Sequence, residues 1–213
     1  MDMSKTNQEN KKLVLFDFDG VLVNTREFAY KIHTYKNKNF TWERFQSFSN
    51  GNFHEEFEKA VKEENFIPTD DFYDKYAEKL SELTIHDILH KTILALSGLY
   101  ILSIISSTNG NVIKDFLEKQ NLTSYFSDIL GHDFHKSKEV KINRILKKYN
   151  IAHNDAVLIT DTLGDIREAN ACDVASIGVT WGLHNKETLN KANPIFVVDN
   201  PMDLFDVIQS VLK

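Results

Sequence analysis

Two acidic residues stand directly after an apolar run near the start of the chain. Residues 12–17 read Lys-Leu-Val-Leu-Phe-Asp, and Asp19 and Gly20 follow. A short apolar run that ends in a polar group is typical of a buried parallel strand that delivers this group at its C-terminal end. Because side chains alternate along a strand, Asp17 and Asp19 leave it on the same face. The sequence therefore predicts two carboxylates at one edge of a sheet.

Polar side chains also stand at the ends of two later apolar runs. They are Ser106, Ser107 and Thr108 after one run, and Thr160, Asp161 and Asp165 after the other. Ligands bind an open α/β sheet outside the carboxyl ends of its strands, so these residues are expected to converge. Converging carboxylates repel one another unless a cation lies between them. Because hard oxygen ligands without Cys or clustered His favour magnesium, the pattern predicts a Mg2+ site.

Strand-like and helix-like segments alternate through most of the chain. Apolar runs typical of buried strands lie at 12–17, 100–106, 156–160, 174–179 and 195–198. Apolar residues at helical spacing lie at 85–96, 112–117, 142–149 and 202–212. This alternation, which runs from about residue 85 to the end, predicts an α/β fold with a doubly wound parallel sheet.

The segment 25–83 has a different character. It is rich in Phe, Tyr, Lys and Glu, and its helical stretches are broken near 37–39, 50–52 and Pro68. Aromatic residues that can close a small helical core are Phe28, Tyr35, Phe45, Phe57, Phe72 and Tyr76. We predict an all-α domain at 25–83, inserted after the first strand of an α/β core. That core would comprise 12–24 and 84–213, and a disordered lead-in would occupy 1–11.

Composition argues against several classes of protein. The chain has 31 acidic and 25 basic residues and no Lys/Arg stripe with interleaved aromatics, which disfavours nucleic-acid binding. No apolar run approaches the ~18 residues of a membrane helix, and the polar start lacks the apolar region of a signal peptide. The single cysteine, Cys172, excludes an intrachain disulfide. We therefore expect a cytoplasmic protein that binds neither membrane nor nucleic acid.

The acidic motifs resemble those of the haloacid dehalogenase superfamily, in the same order. Asp-Phe-Asp-Gly-Val-Leu at 17–22 is similar to its first motif, and Ile-Ile-Ser at 104–106 to its second. Thr-Asp-Thr-Leu-Gly-Asp at 160–165 is similar to its fourth. The third motif is a lysine at the start of the preceding helix, for which Lys136 and Lys138 are candidates. Spacing slightly favours Lys136.

The resemblance extends from about residue 12 to the end of the chain. Val-Thr-Trp-Gly at 179–182 and Phe-Val-Val-Asp at 196–199 are similar to the phosphoglycolate phosphatase-like branch of the superfamily. In that branch a helical cap domain follows the first motif, which matches the position of the predicted all-α domain. The sequence departs from the family pattern at Thr160, where glycine is usual, and this residue is expected to crowd the loop.

The resemblance implies a magnesium-dependent phosphatase that acts on a small phosphorylated metabolite. Asp17 would be the nucleophile and would form an aspartyl-phosphate intermediate. Asp19 would protonate the leaving oxygen and later deprotonate the attacking water. The Asp17 side chain, the Asp19 backbone carbonyl and Asp161 would hold magnesium, with Asp165 completing or orienting that shell.

The same resemblance assigns the phosphate-binding residues. Ser106, Ser107 and the third-motif lysine, Lys136 or Lys138, would contact the phosphoryl oxygens, where charge stabilisation matters most. The alternative for Ser106, Ser107 or Thr108 is an N-cap of the next helix.

Two other functions stay open at this point. A phosphomutase on the same scaffold also needs Asp17 and Asp19, and differs in shielding the intermediate from water. A non-catalytic binding or regulatory protein would be expected to lack Asp17, Asp19 or Asp161. Among the other polar residues, His132 and His135 are expected to be exposed. Trp42, Arg44 and His54 could contact the substrate, but packing or solvent exposure is favoured for them.

Overall fold

A parallel sheet of six strands in the order β3-β2-β1-β4-β5-β6 forms the centre of the protein. The computed structural model describes residues 12–213, so the predicted lead-in at 1–11 lies outside the described residues. The strands are β1 (Leu13–Phe16), β2 (Ile101–Ile105), β3 (Asp128–Leu130), β4 (Ala156–Thr160), β5 (Ala175–Val179) and β6 (Phe196–Val198). The predicted α/β class with a doubly wound parallel sheet is confirmed.

Ten α-helices lie in the described residues. They are α1 (Arg26–Thr34), α2 (Trp42–Ser47), α3 (Phe53–Glu63), α4 (Phe72–Leu80), α5 (Asp87–Ser97), α6 (Gly110–Lys119), α7 (Lys138–Tyr149), α8 (Leu163–Ala171), α9 (Lys186–Asn190) and α10 (Leu204–Val211). The helices α1–α4, which we call the helical insert, all lie between β1 and β2. None of the helices in 12–213 has the length and apolar character required to cross a bilayer.

Strand β1 is buried on both faces, which explains its continuous apolar sequence. Val14 and Phe16 belong to a core cluster that also contains residues of α5, α6 and α10. Leu13 and Leu15 belong to a second cluster, with residues of α7 and α8. Helices therefore cover both faces of the sheet.

The register of the central strands places their carboxyl ends side by side. Phe16 of β1 is the partner of Ile104 in β2 and of Ile159 in β4. The residues that follow these three strands consequently emerge at one edge of the sheet. The next residues along the chain include Asp17, Ser106 and Asp161, which the sequence analysis assigned to chemistry.

The helical insert is held by its own aromatic core. Its fully or nearly buried aromatic residues are Phe40, Phe45, Phe48 and Phe66, against which Phe53 and Phe57 pack. Tyr35 was expected in this core, but it is 66% exposed at the C-terminal end of α1. The sequence breaks at 50–52 because Asn52 caps α3, accepting hydrogen bonds from the two backbone N–H groups that follow Phe53.

The helical insert lies directly against the core at the start of α8. A Cβ atom built on Gly164 would lie 2.0 Å from the backbone oxygen of Gly51, so the two backbones meet without an intervening side chain. Nearby, Arg167 donates to the Asn50 carbonyl (2.7 Å). Glycine is required at 164 by this close approach.

Candidate active site

Asp17 sits at the end of β1 and is held there by three contacts. Its backbone N–H donates to the Ile159 carbonyl (2.9 Å), which continues the pairing of β1 with β4. Its carboxylate accepts a hydrogen bond from the Phe18 N–H (2.7 Å) and an ion pair from Lys138 Nζ (2.7 Å). The residue is 5% exposed, so one carboxylate is fixed at the carboxyl edge of the sheet.

The structure places Lys138, and not Lys136, in this group. Lys138 is the first residue of α7, and its Nζ lies 2.7 Å from Asp17 and 2.6 Å from Asp165. Lys136 points to the helical insert, where it pairs with Glu58 in an exposed ion pair. Ser137 is the N-cap, so α7 begins two residues after Lys136, and the geometry favours Lys138 over Lys136, which spacing slightly preferred.

Asp161 and Asp165 follow β4 and are both buried. One oxygen of Asp161 accepts from the Leu183 N–H (2.6 Å), and the other, Oδ1, has no hydrogen-bond partner in the described residues. Asp165 accepts from Lys138 and from Thr160 Oγ1 (2.6 Å). Thr160 therefore orients Asp165, a contact that the sequence analysis did not predict.

The group carries more buried negative charge than its lysine balances. Burial raises the pKa of Asp161 to about 7, and Asp165 adds to this. Burial, Asp165 and Asp161 raise the pKa of Asp17 well above its usual range, against the lowering effect of Lys138. Asp165 is the exception, because Lys138 holds its pKa below the usual value despite burial. The excess of negative charge favours the binding of a cation to this group.

A divalent cation fits part of the predicted ligand set. The Asp17 carboxylate and the unpartnered oxygen of Asp161 can each serve as a metal ligand, and both residues belong to the predicted set. Lys138 and Thr160 both donate to Oδ2 of Asp165, and the Asp19 carboxylate is held by hydroxyl groups. Within 12–213, no three His, Cys, Asp or Glu side chains are grouped around one possible metal position. Four aspartate side chains around one ion are therefore not what the fold provides, and backbone, water or phosphate oxygens would have to complete the shell.

Asp19 is surrounded by hydroxyl groups. Its Oδ1 accepts from Thr25 Oγ1 (2.7 Å) and from the Tyr76 hydroxyl, and its Oδ2 accepts from Thr108 Oγ1 (2.8 Å) and Ser106 Oγ (3.2 Å). Tyr76 belongs to α4, so this contact joins the helical insert to the core. The sequence analysis took Tyr76 only as a core aromatic, because nothing in its spacing indicates where the hydroxyl points.

The second-motif residues have the predicted positions, and they do not cap the next helix. Ser106 Oγ accepts from the Thr108 N–H (3.0 Å), and Ser107 lines the cavity beside the acidic group. Asn109 is the N-cap of α6, which excludes the capping alternative. Lys141, one turn after Lys138, donates to the Ser106 carbonyl (2.5 Å). Its helical spacing from Lys138 is a sequence signal that was missed.

A cavity of about 270 Å3 separates the carboxyl edge of the sheet from the helical insert. Asp17, Asp19, Lys138 and Asp161 line it on the core side. His33 and His54 line it from the helical insert, together with aromatic rings. The place of His54 in the cavity lining fits substrate contact, the alternative over which packing or solvent exposure was favoured. The arrangement offers a fixed carboxylate, an ammonium group and an unpaired carboxylate oxygen to one small ligand.

Fold and site together define a class of protein. The model of the family described as "Haloacid dehalogenase-like hydrolase" matches residues 14–179, which is most of the chain. The protein belongs to this family, as its motifs predicted.

Individual relatives lie within the same family. The chain is 29% identical over 143 residues to the phosphoglycolate phosphatase of Vibrio vulnificus strain YJ016, a match that covers 65% of this chain and 62% of that one. The chain thus spans about three fifths of the length of that curated relative. It is 27% identical over 211 residues to the pyrophosphatase PpaX of Listeria monocytogenes, covering 92% of this chain and 95% of the relative.

Solved structures show the same fold. A haloacid dehalogenase-like family protein of Streptococcus pneumoniae superposes with a TM-score of 0.78 at 20% identity, covering 94% of this chain and 99% of the other. A haloacid dehalogenase-like protein of Agrobacterium tumefaciens gives 0.75 at 19% identity, with 95% and 100% covered.

Proposed function

We propose that this protein is a magnesium-dependent phosphatase that hydrolyses a small phosphomonoester through an aspartyl-phosphate. The observation that carries the proposal is the Asp17 carboxylate, which faces the cavity beside Lys138 and the unpartnered oxygen of Asp161. In this arrangement Asp17 would serve as nucleophile, Lys138 as the cation that binds phosphate, and Asp161 as a metal ligand. Membership of a hydrolase family and relatives named as phosphatases support the same conclusion.

In the proposed reaction an oxygen of Asp17 attacks phosphorus while the bond from phosphorus to the leaving oxygen breaks. Asp19 gives its proton to that leaving oxygen, and the alcohol departs. Asp19 then takes a proton from water, whose oxygen attacks the phosphorus and releases Asp17 and phosphate. Lys138 and Ser107, which line the cavity, would contact the phosphoryl oxygens throughout, with the buried Ser106 behind them in contact with Asp19.

Magnesium would be held by Asp17, Asp161 and the backbone carbonyl of Asp19. When bound, it supplies charge stabilisation to the phosphoryl oxygens. Asp165 would keep Lys138 in place, as its 2.6 Å contact indicates.

The test is phosphate release from 4-nitrophenyl phosphate, with magnesium and with EDTA. Release that requires magnesium supports the proposal. A protein that releases no phosphate from this ester in either condition, while folded, would contradict it. The names of the relatives add phosphoglycolate and inorganic pyrophosphate as physiological candidates to be assayed in parallel.

Replacing Tyr76 by phenylalanine is expected to lower kcat about tenfold. The change removes a buried hydroxyl that contacts Asp19 from the helical insert, and a hydrogen bond to a charged group contributes about 1.5–3 kcal/mol. Thr25 and Thr108 still hold the carboxyl group, so the effect is partial. The measurement is kcat and KM on 4-nitrophenyl phosphate.

Tyr35→Phe is the matched control, because its ring also belongs to the helical insert, is 66% exposed and does not line the cavity. Equal rates for Tyr76→Phe and wild type would show that the hydroxyl has no part in positioning Asp19.

Magnesium is expected to raise the melting temperature more at pH 7.5 than at pH 5.5. Burial raises the pKa of Asp161 to about 7, so the metal must displace a proton at the lower pH. One such proton weakens apparent magnesium binding about 25-fold between these two pH values. Without metal the pH dependence of stability has the opposite sign. The folded state keeps a proton on Asp161 that the unfolded chain releases, so the stability falls as the pH rises from about 4 to about 7.

Differential scanning fluorimetry with and without magnesium at both pH values measures this. Asp161→Asn should abolish most of the magnesium effect. A larger gain in melting temperature at pH 5.5 would show that the metal does not bind at the protonated carboxylates.

A further inference from the structure

Aromatic rings make up a large part of the cavity lining that the helical insert contributes, beside the smaller residues Ala29, Ser49, Pro68 and Thr69. The rings are those of Phe45, Phe53, Phe57, Phe72 and Tyr73. In the proposed reaction the phosphoryl group lies at Asp17, so the rest of the substrate has to lie against these rings. The rings, more than the catalytic residues, therefore decide which leaving groups the site accepts.

Basic side chains are scarce in that part of the cavity. Of the lysines and arginines in 12–213, only Lys138 and Arg26 line the cavity. Lys138 is paired with Asp17 and Asp165, and the Arg26 guanidinium donates to the Gly182 carbonyl. Arg26 therefore lies on the Asp161 side of the cavity, where Gly182 packs against that residue. A second anionic group that lies against the phenylalanine rings would be buried there without a cation, which is strongly unfavourable.

His33 is a polar residue that lies among these rings. It is 3% exposed, and its ring stacks on Phe72 with centroids 4.7 Å apart. Neither ring nitrogen has a hydrogen-bond partner in the described residues, although the side chain lines the cavity. Burial lowers the pKa of His33 to about 4, so at neutral pH the ring is uncharged and offers one donor and one acceptor.

His54 lines the same cavity and repeats this arrangement. Its Nε2 is buried and has no partner in the part of the chain that the structure describes. Burial, with a contribution from His132, lowers the pKa of His54 to about 4. A buried polar atom without a partner is costly, so a ligand that satisfies these nitrogens gains binding energy from them.

We propose that the substrate is a phosphomonoester whose leaving group is uncharged and largely apolar, with a flat or aromatic body and one hydrogen-bonding group for His33 or His54. The inference rests on the proposed phosphatase function and narrows its substrate class. Phosphoglycolate and pyrophosphate both carry a second anionic group, so the lining predicts that they are poor substrates here.

The first test compares two esters with the same alkyl leaving oxygen. With magnesium present, 3-phenylpropyl phosphate is expected to have a kcat/KM at least about 100-fold above that of 3-carboxypropyl phosphate, because a buried carboxylate without a cation is costly. If the carboxylate ester is hydrolysed as well or better, the substrate class is wrong and the phosphatase function stands. If neither ester nor 4-nitrophenyl phosphate is hydrolysed, both proposals are wrong.

The second test concerns the two histidines. Wild type is expected to prefer 2-(4-hydroxyphenyl)ethyl phosphate over 2-phenylethyl phosphate about tenfold, the value of one additional hydrogen bond. His33→Phe or His54→Phe should bring this ratio close to one. His33→Gln, which keeps an uncharged donor and acceptor, should retain part of it.

His90→Phe is the matched control, since His90 lies on α5 and does not line the cavity. The ratio of the two esters is insensitive to a general loss of stability, because both are measured on the same preparation. No preference in wild type, or an unchanged ratio in both His33→Phe and His54→Phe, would overturn the role of the histidines.

Discussion

Asp17→Asn is expected to lower phosphate release by a factor on the order of 10^4 or more, because it removes the proposed nucleophile. Asparagine keeps the oxygen that accepts from the Phe18 N–H, so the local backbone contact is retained. It also removes a carboxyl group whose pKa is already raised by burial and by Asp165 and Asp161. We therefore expect the variant to remain folded, and phosphate release from 4-nitrophenyl phosphate with magnesium measures the loss.

Asp199→Asn is the matched control, with the same chemical change at an exposed residue that pairs with Lys186. Its activity should equal that of wild type. Turnover surviving in Asp17→Asn at more than about one hundredth of the wild-type rate would contradict the assignment of the nucleophile.

Lys138→Met is expected to destabilise the protein by about 3–5 kcal/mol and to remove measurable activity. The change leaves Asp17 and Asp165 buried without the ammonium group that lies within 2.7 Å of both. A methionine fills similar space, so the effect comes from uncompensated charge and not from a cavity. Urea unfolding at pH 7.5 measures the free energy of unfolding.

Lys136→Met makes the same substitution two residues earlier and is the matched control. Lys136 pairs with Glu58 in a solvent-exposed ion pair, and such pairs contribute little. We expect its unfolding curve and its activity to be close to those of wild type. If Lys136→Met lost activity and Lys138→Met kept it, the lysine favoured by sequence spacing would be the functional one after all.

Most of the fold was predictable because buried parallel strands carry a continuous apolar signal. β4 begins and ends where the apolar run at 156–160 predicts. The strand that was missed, β3, has three half-buried residues and starts at Asp128, so it lacks such a run. β3 lies at the edge of the sheet and pairs with one strand only. This pairing depends on contacts distant in sequence, which a local pattern does not predict.

The site was predictable where chemistry depends on position along one strand. Asp17 and Asp161 follow strands whose ends align, and their convergence follows from the topology. The choice between Lys136 and Lys138 depends on where α7 begins, and a shift of two residues turns the side chain from the site to solvent. The contacts of Tyr76 and His33 depend on how the helical insert packs, for which the sequence carries no local signal.

The contact between Gly51 and Gly164 has a consequence for substrate size. Two backbones meet there, and neither can be compressed as a side chain can. The helical insert therefore cannot settle deeper over a short ligand, and the closed cavity has a minimum length that the chain itself sets. A phosphate ester too short to reach the far wall would leave the remaining space to water. With the proposed function, this contact would make the protein discriminate substrates by length as well as by charge, through two residues that have no side chain.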